Sequence, residues 1–164
     1  MNTTTYHKLK ILVVDDDLEL NTSFALLLEF DGHEVQTAYT GEAALAMLAK
    51  SHFDLLISEY WLPRMRGDEL AMSAKQQSPG LPIILITANF AEMDLDDHPI
   101  AGVDCLLDKP FTMDALRNTL SWVLGDQQFQ PTRQFEIHLA SGIGRSIAVD
   151  SPRLPAYRVV PAAN

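Results

Sequence analysis

"LKILVVDDDLELNTSFALLLEF", residues 9–30, opens on a run of Leu, Ile and Val, stops at three aspartates, and resumes with apolar residues at helical spacing. The opening run, 9–14, is short and apolar throughout, so it reads as a strand buried on both faces. Residues 18–30 read as a helix whose apolar positions are Leu20, Phe24, Leu27 and Leu28. The Asp-Gly pair at 31–32 then supplies a stop and a turn. A strand covered on both faces belongs to a parallel sheet with helices on each side.

The rest of the chain repeats that alternation. "EVQTA" (34–38), "FDLLIS" (53–58), "IILIT" (83–87) and "VDCLL" (103–107) read as strands. "GEAALAMLAK" (41–50) and "GDELAMSAKQQ" (67–77) are rich in helix formers, and "AEMDLDDH" (91–98) suggests a short acidic helix. "TMDALRNTLSWVL" (112–124) is amphipathic, with Thr112 as its N-cap. The order βαβαβαβαβα requires crossovers, and right-handed crossovers favour a doubly wound α/β fold around a five-stranded parallel sheet. In such folds the ligand site lies beyond the carboxyl ends of the strands, where the strand order reverses.

Charge divides the chain. Residues 1–125 carry 19 acidic and 8 basic residues, net −11, whereas residues 126–164 carry 3 and 4, net +1. The expected organisation is a leader at 1–8, a domain at 9–125 and an extension at 126–164. The overall charge of −10 argues against a nucleic-acid surface, which needs clustered Lys and Arg. No stretch approaches the roughly 18 apolar residues of a membrane span, and the polar N-terminus has no signal-peptide core. The single cysteine, Cys105, permits no internal disulfide and reads as a small buried hydrophobe, which suits a cytoplasmic protein. His7, His33, His52, His98 and His138 lack metal-ligand spacing and read as surface or turn residues.

One pole of the sheet therefore gathers Asp15, Asp16 and Asp17 after the first strand, Ser58 and Glu59 at the end of the third, Thr87 at the end of the fourth, and Asp108, Lys109 and Pro110 after the fifth. Taken singly, the acidic run also reads as a helix N-terminus, Thr87 as structural and Lys-Pro as a loop. Their arrival at one pole in this order points to a shared site. Clustered carboxylates need a cation or a lysine to offset repulsion, oxygen-only donors suit Mg²⁺, and a lysine with a hydroxyl suits a phosphoryl group.

"ILVVDDD", "GHEVQTAYTGEAAL", "FDLLISEYWLPRMRG", "ILITA" and "DKPF" together resemble the receiver domain of bacterial two-component response regulators, over residues 9–125. The resemblance implies a flavodoxin-like (βα)5 fold and a role in phosphorelay signalling rather than as an enzyme. It implies Mg²⁺ held by Asp15, Asp16, the acceptor carboxylate at residue 59 and the backbone carbonyl of Trp61. It also implies phosphoryl contacts from Thr87 and Lys109, and a cis peptide before Pro110. A histidine kinase or a downstream effector is the implied partner, with a homodimer as an alternative, through the face spanning residues 89–124.

The chain departs from that family pattern twice. The acceptor position holds Glu59 in place of aspartate, and the extra methylene displaces the carboxylate by about 1.5 Å from where in-line transfer needs it. A longer carboxylate can instead reach towards Lys109 and Thr87, with about one negative charge against roughly 1.5–2 for a phosphate. The switch position, usually aromatic, holds Leu106. Both departures point to an atypical receiver acting through protein–protein interaction, with phosphorylation impaired or mimicked. A conventional phosphorelay receiver is the alternative, and a Mg²⁺-dependent phosphotransfer enzyme a third. The 39-residue extension is short for a DNA-binding domain; "QFEIHLASG", "RSIAV" and "YRVV" read as short strands, able to pack on the same chain, exchange with a second subunit or stay mobile.

Overall fold

The computed structural model describes residues 8–89, 92–93, 100–125 and 159–160. Its elements are β1 (Lys10–Val14), α1 (Leu18–Phe30), β2 (Glu34–Ala38), α2 (Gly41–Leu48), β3 (Leu55–Glu59), α3 (Gly67–Gln77), β4 (Ile83–Thr87), β5 (Cys105–Asp108), α4 (Met113–Val123) and β6 (Val159–Val160). The sheet order is β2-β1-β3-β4-β5-β6, and every pair is parallel. The order reverses at β1, between β2 and β3, as a doubly wound sheet requires.

Strand alternation divides the core in two. Leu12, Val14, Leu56, Leu85 and Leu106 face α2 and α3, while Ile11, Val13, Ile57, Ile86 and Leu107 face α1 and α4. The expected strands and helices are present with shifted ends. β3 starts at Leu55, and just before it the carboxylate of Asp54 takes the Lys10 N–H at 2.7 Å. Thr112 caps α4 as expected, accepting the Ala115 N–H. The acidic helix expected at 91–98 lies largely outside the described residues.

Three features go beyond or against expectation. The five expected parallel strands are present and gain a sixth from the extension, because Val159 and Val160 pair with Leu106 and Leu107 along the edge of β5. Pairing satisfies edge N–H and C=O groups that would otherwise stay open. The segment 126–158 lies outside the described residues. The second change is on α1: the buried positions are Asn21, Ala25 and Leu28, whereas Leu20 and Leu27 are about half exposed. This helix is apolar almost all round, so spacing defines no unique face, and the contacts of Asn21 choose one. Its Nδ2 donates to the carbonyls of Asp15 and Ala38 at 2.9 and 2.8 Å, tying α1 to the ends of β1 and β2. Third, His33 is buried rather than on the surface, with Nδ1 accepting the Leu9 N–H at 3.4 Å, and burial lowers its pKa. His7, His98 and His138 lie outside the described residues.

At the carboxyl pole, α3 starts so close to β3 that only glycine fits at its first position. A Cβ on Gly67 would lie 2.7 Å from the Glu59 carbonyl oxygen and 2.9 Å from the Tyr60 Cα. Both are backbone atoms and cannot give way cheaply. Gly67→Ala is therefore expected to cost about 1–3 kcal/mol through forced backbone displacement, read as a lower midpoint in urea unfolding.

Candidate functional site

Strand parity carries three side chains to the same side of the sheet. Asp15 follows Val13, Glu59 follows Ile57 and Lys109 follows Leu107, each two residues beyond a position facing α1 and α4. Tertiary structure then closes them into one contact. Lys109 Nζ lies 2.7 Å from Glu59 Oε2 and 3.1 Å from Asp15 Oδ2. The three side chains are 23%, 11% and 13% exposed, so water screens the contact only partly.

The backbone holds both carboxylates in place. Glu59 Oε1 accepts the N–H groups of Tyr60 and Trp61 at 2.9 and 3.2 Å. Asp15 Oδ1 accepts the Asp17 N–H at 2.9 Å, and Asp17 itself caps α1 through the Glu19 and Leu20 N–H groups. The peptide between Lys109 and Pro110 is cis, as the resemblance implies. Burial works to lower the Lys109 pKa, but the hydrogen bonds and charges of Glu59 and then Asp15 outweigh it, and the value is raised. Asp108, desolvated at the strand end, has a raised pKa.

Other expected site residues do not join this contact. Thr87 is fully buried, but its parity places it with Leu85, towards α2 and α3. Its hydroxyl accepts the Asn89 N–H at 3.1 Å and makes no bond to Glu59. Asp16 is exposed. Trp61 sits on the loop after β3, edge-on to Tyr60 with ring centroids 4.9 Å apart. Leu106 is fully buried in the core facing α2 and α3. The hydroxyl of Ser58 donates to the Glu59 carbonyl, on the opposite face from the Glu59 side chain. Asn21 was absent from the sequence expectation; the signal for it is a lone amide in a helix otherwise dominated by apolar residues, four positions after the cap Asp17.

Among the described residues, no three His, Cys, Asp or Glu side chains converge on a point that a metal ion could share. The cation between Asp15 and Glu59 is the lysine ammonium. The Mg²⁺ that the resemblance implies would have to share Asp15 and Glu59 with that ammonium.

The family model "Response regulator receiver domain" matches residues 11–121. The chain belongs to the response regulator receiver domain family. Its relatives include the response regulator MprA of Mycobacterium avium, 34% identical over 108 residues, or 66% of this chain and 47% of that protein. MprA of Mycobacterium tuberculosis is 35% identical over 107 residues, 65% of this chain and 46% of the relative. The chain thus spans about half the length of these relatives. Among solved structures, the chemotaxis response regulator CheY4 of Vibrio cholerae aligns with TM-score 0.65 and 32% identity, over 72% of this chain and all of that one. The response regulator TrrA of Thermotoga maritima, solved in complex with Mg(2+)-BeF, aligns with TM-score 0.64 and 30% identity over the same shares. Receiver domains are signalling modules of two-component systems and generally bind Mg²⁺.

The lysine contact has a pH signature. Because the Lys109 pKa is raised on folding, its contribution is complete below the ordinary lysine value of 10.5 and declines as pH rises through the higher folded value. Lys109→Met removes the partner of two carboxylates and is expected to cost about 2 kcal/mol at pH 8. In urea titrations the gap between wild type and variant should narrow above pH 10.5.

Proposed function

We propose that this receiver domain is held in one state by its own glutamate, and works in two-component signalling by binding a protein partner rather than by cycling through phosphate. The supporting observation is the 2.7 Å contact of Glu59 with Lys109. Lys109 stands at the position that the family resemblance assigns to a phosphoryl contact. Here it is already engaged by a permanent carboxylate of the acceptor residue, with Asp15 as second partner.

The reading is of a locked receiver rather than of full phosphate mimicry. Glu59 engages the lysine but leaves Thr87 bonded to Asn89, so it takes one of the two phosphoryl-contacting groups. A carboxylate brings less charge and fewer acceptors than a phosphate, which accords with a partial effect. Leu106 adds to the reading: it is a fully buried aliphatic side chain with no hydroxyl to exchange between core and solvent. The partner is a histidine kinase or a downstream effector, docking on the face that spans residues 89–124.

Glu59 governs two measurable properties. Incubated with a small phosphodonor and Mg²⁺ and weighed intact, wild type should show no phosphoryl adduct, whereas Glu59→Asp should acquire one. Titrated with Mg²⁺ under Trp61 fluorescence, Glu59→Asp should bind at least about tenfold more tightly, because a shorter carboxylate releases the lysine and leaves oxygen donors for the ion. A stable adduct on residue 59 of wild type would remove the proposal.

A further inference from the structure

Beside the lysine contact lies a cavity of about 410 Å³, on the sheet face that carries α1 and α4. Its floor is the carboxyl ends of β1, β3 and β4, at Val13, Ile57 and Ile86. Phe24 of α1 and Phe111 after the cis peptide form a wall, with rings in edge contact at 5.8 Å. The polar end is Asp15, Glu59 and Lys109. Cavities of this size, mostly apolar and with a few convergent polar groups, are characteristic of small-molecule sites.

The polar end specifies the chemistry of a guest. Two carboxylates and one ammonium leave a net charge of −1. Among the described residues, the Asp15 carboxylate accepts only the Asp17 N–H and Lys109, leaving acceptor capacity on its oxygens. Asn21, fully buried in the cavity wall, spends both amide hydrogens on Asp15 and Ala38, and its Oδ1 has no partner among the described residues. This end therefore has surplus acceptors and surplus negative charge. An anionic guest would face that negative surplus with at most one unused Lys109 N–H to receive it, whereas a cationic one meets the spare acceptors without disturbing the Glu59–Lys109 pair.

We propose that this cavity binds a small organic cation, with an apolar, flat body against Ile57, Ile86 and Phe24 and an ammonium group directed at Asp15. Such a guest would bridge α1, β1 and the turn at Pro110–Phe111, making the locked receiver responsive to a soluble amine. The inference goes beyond the reading of Glu59 as a lock and stands whether or not residue 59 accepts phosphate.

Three probes sharing an indole ring separate shape from charge: tryptamine, uncharged 3-ethylindole and the anion indole-3-propionate. Calorimetric titration of the full chain in metal-free buffer at neutral pH is expected to show saturable tryptamine binding at about 1 mM or tighter. Tryptamine should exceed indole-3-propionate by at least about tenfold, with 3-ethylindole between them. Glu59→Asn keeps a polar side chain but brings the net charge of the polar end to zero, and should erase most of the preference for the amine. Ala88→Phe, at an exposed residue on the cavity rim, should abolish binding while leaving the circular dichroism spectrum unchanged. Absence of saturation up to about 10 mM tryptamine, equal affinity for amine and acid, or undiminished binding by a folded Ala88→Phe protein each overturns the proposal. Loss of tryptamine binding as the chain dimerises overturns it too, since a second copy is then the occupant. Phosphoryl acceptance enters none of these measurements, so this proposal and the reading of Glu59 fail separately.

Discussion

The carboxyl pole of this domain depends on one ammonium group placed between two carboxylates. Lys109 comes from the end of β5, Glu59 from the end of β3 and Asp15 from just beyond β1. One cation thus joins the ends of β1, β3 and β5, reaching across β4, and offsets the repulsion that two nearby acids would otherwise exert. Partial burial makes this attraction stronger than that of a surface pair and makes an unpartnered member costly. These two partners take two of the three donors of the ammonium. The same contact accounts for the raised lysine pKa and the negative surplus facing the neighbouring cavity.

The backbone sets that contact before side-chain chemistry acts. Tyr60 and Trp61 turn their N–H groups onto one oxygen of Glu59, leaving the other for the lysine. Gly67 lets α3 begin against the Glu59 carbonyl. Asn21 ties α1 to the ends of β1 and β2, which orients Phe24 towards Phe111 and leaves space above the strand ends. A further anchor lies away from the site: Arg117 of α4 grips both oxygens of Asp31 at 2.8 Å, and this hydrogen-bonded partner lowers the Asp31 pKa. With α1 and α4 held together on one face, the cavity between α1 and the Pro110 turn has fixed walls.

Much of this was legible in the chain. Strands buried on both faces, such as "IILIT", announce themselves as continuous apolar runs, and their alternation with helix formers leaves few topologies. The convergence of Asp15, Glu59, Thr87 and Lys109 on one pole follows from that topology. The inner face of α1 was not legible, because a helix with leucines on nearly every side has no preferred orientation until Asn21 finds its two carbonyls. Nor was the pairing of Val159 and Val160 with β5, since contact between distant segments leaves no local trace. Thr87 shows the limit of reasoning from strand ends: it stands at the expected pole, yet parity turns it to the opposite side from Glu59.

The sequence by itself determined the parallel α/β architecture, the arrival of Asp15, Glu59 and Lys109 at one pole and the presence of a glutamate at the end of β3. These are properties of local pattern and covalent length, carried by residues close together in the chain. Which oxygen meets which donor was decided only by the tertiary structure, as were the separation of Thr87 from Glu59 and the empty volume beside them. Such features are differences of an ångström or two between groups from separate strands and helices, and they arise only when packing fixes those elements against one another.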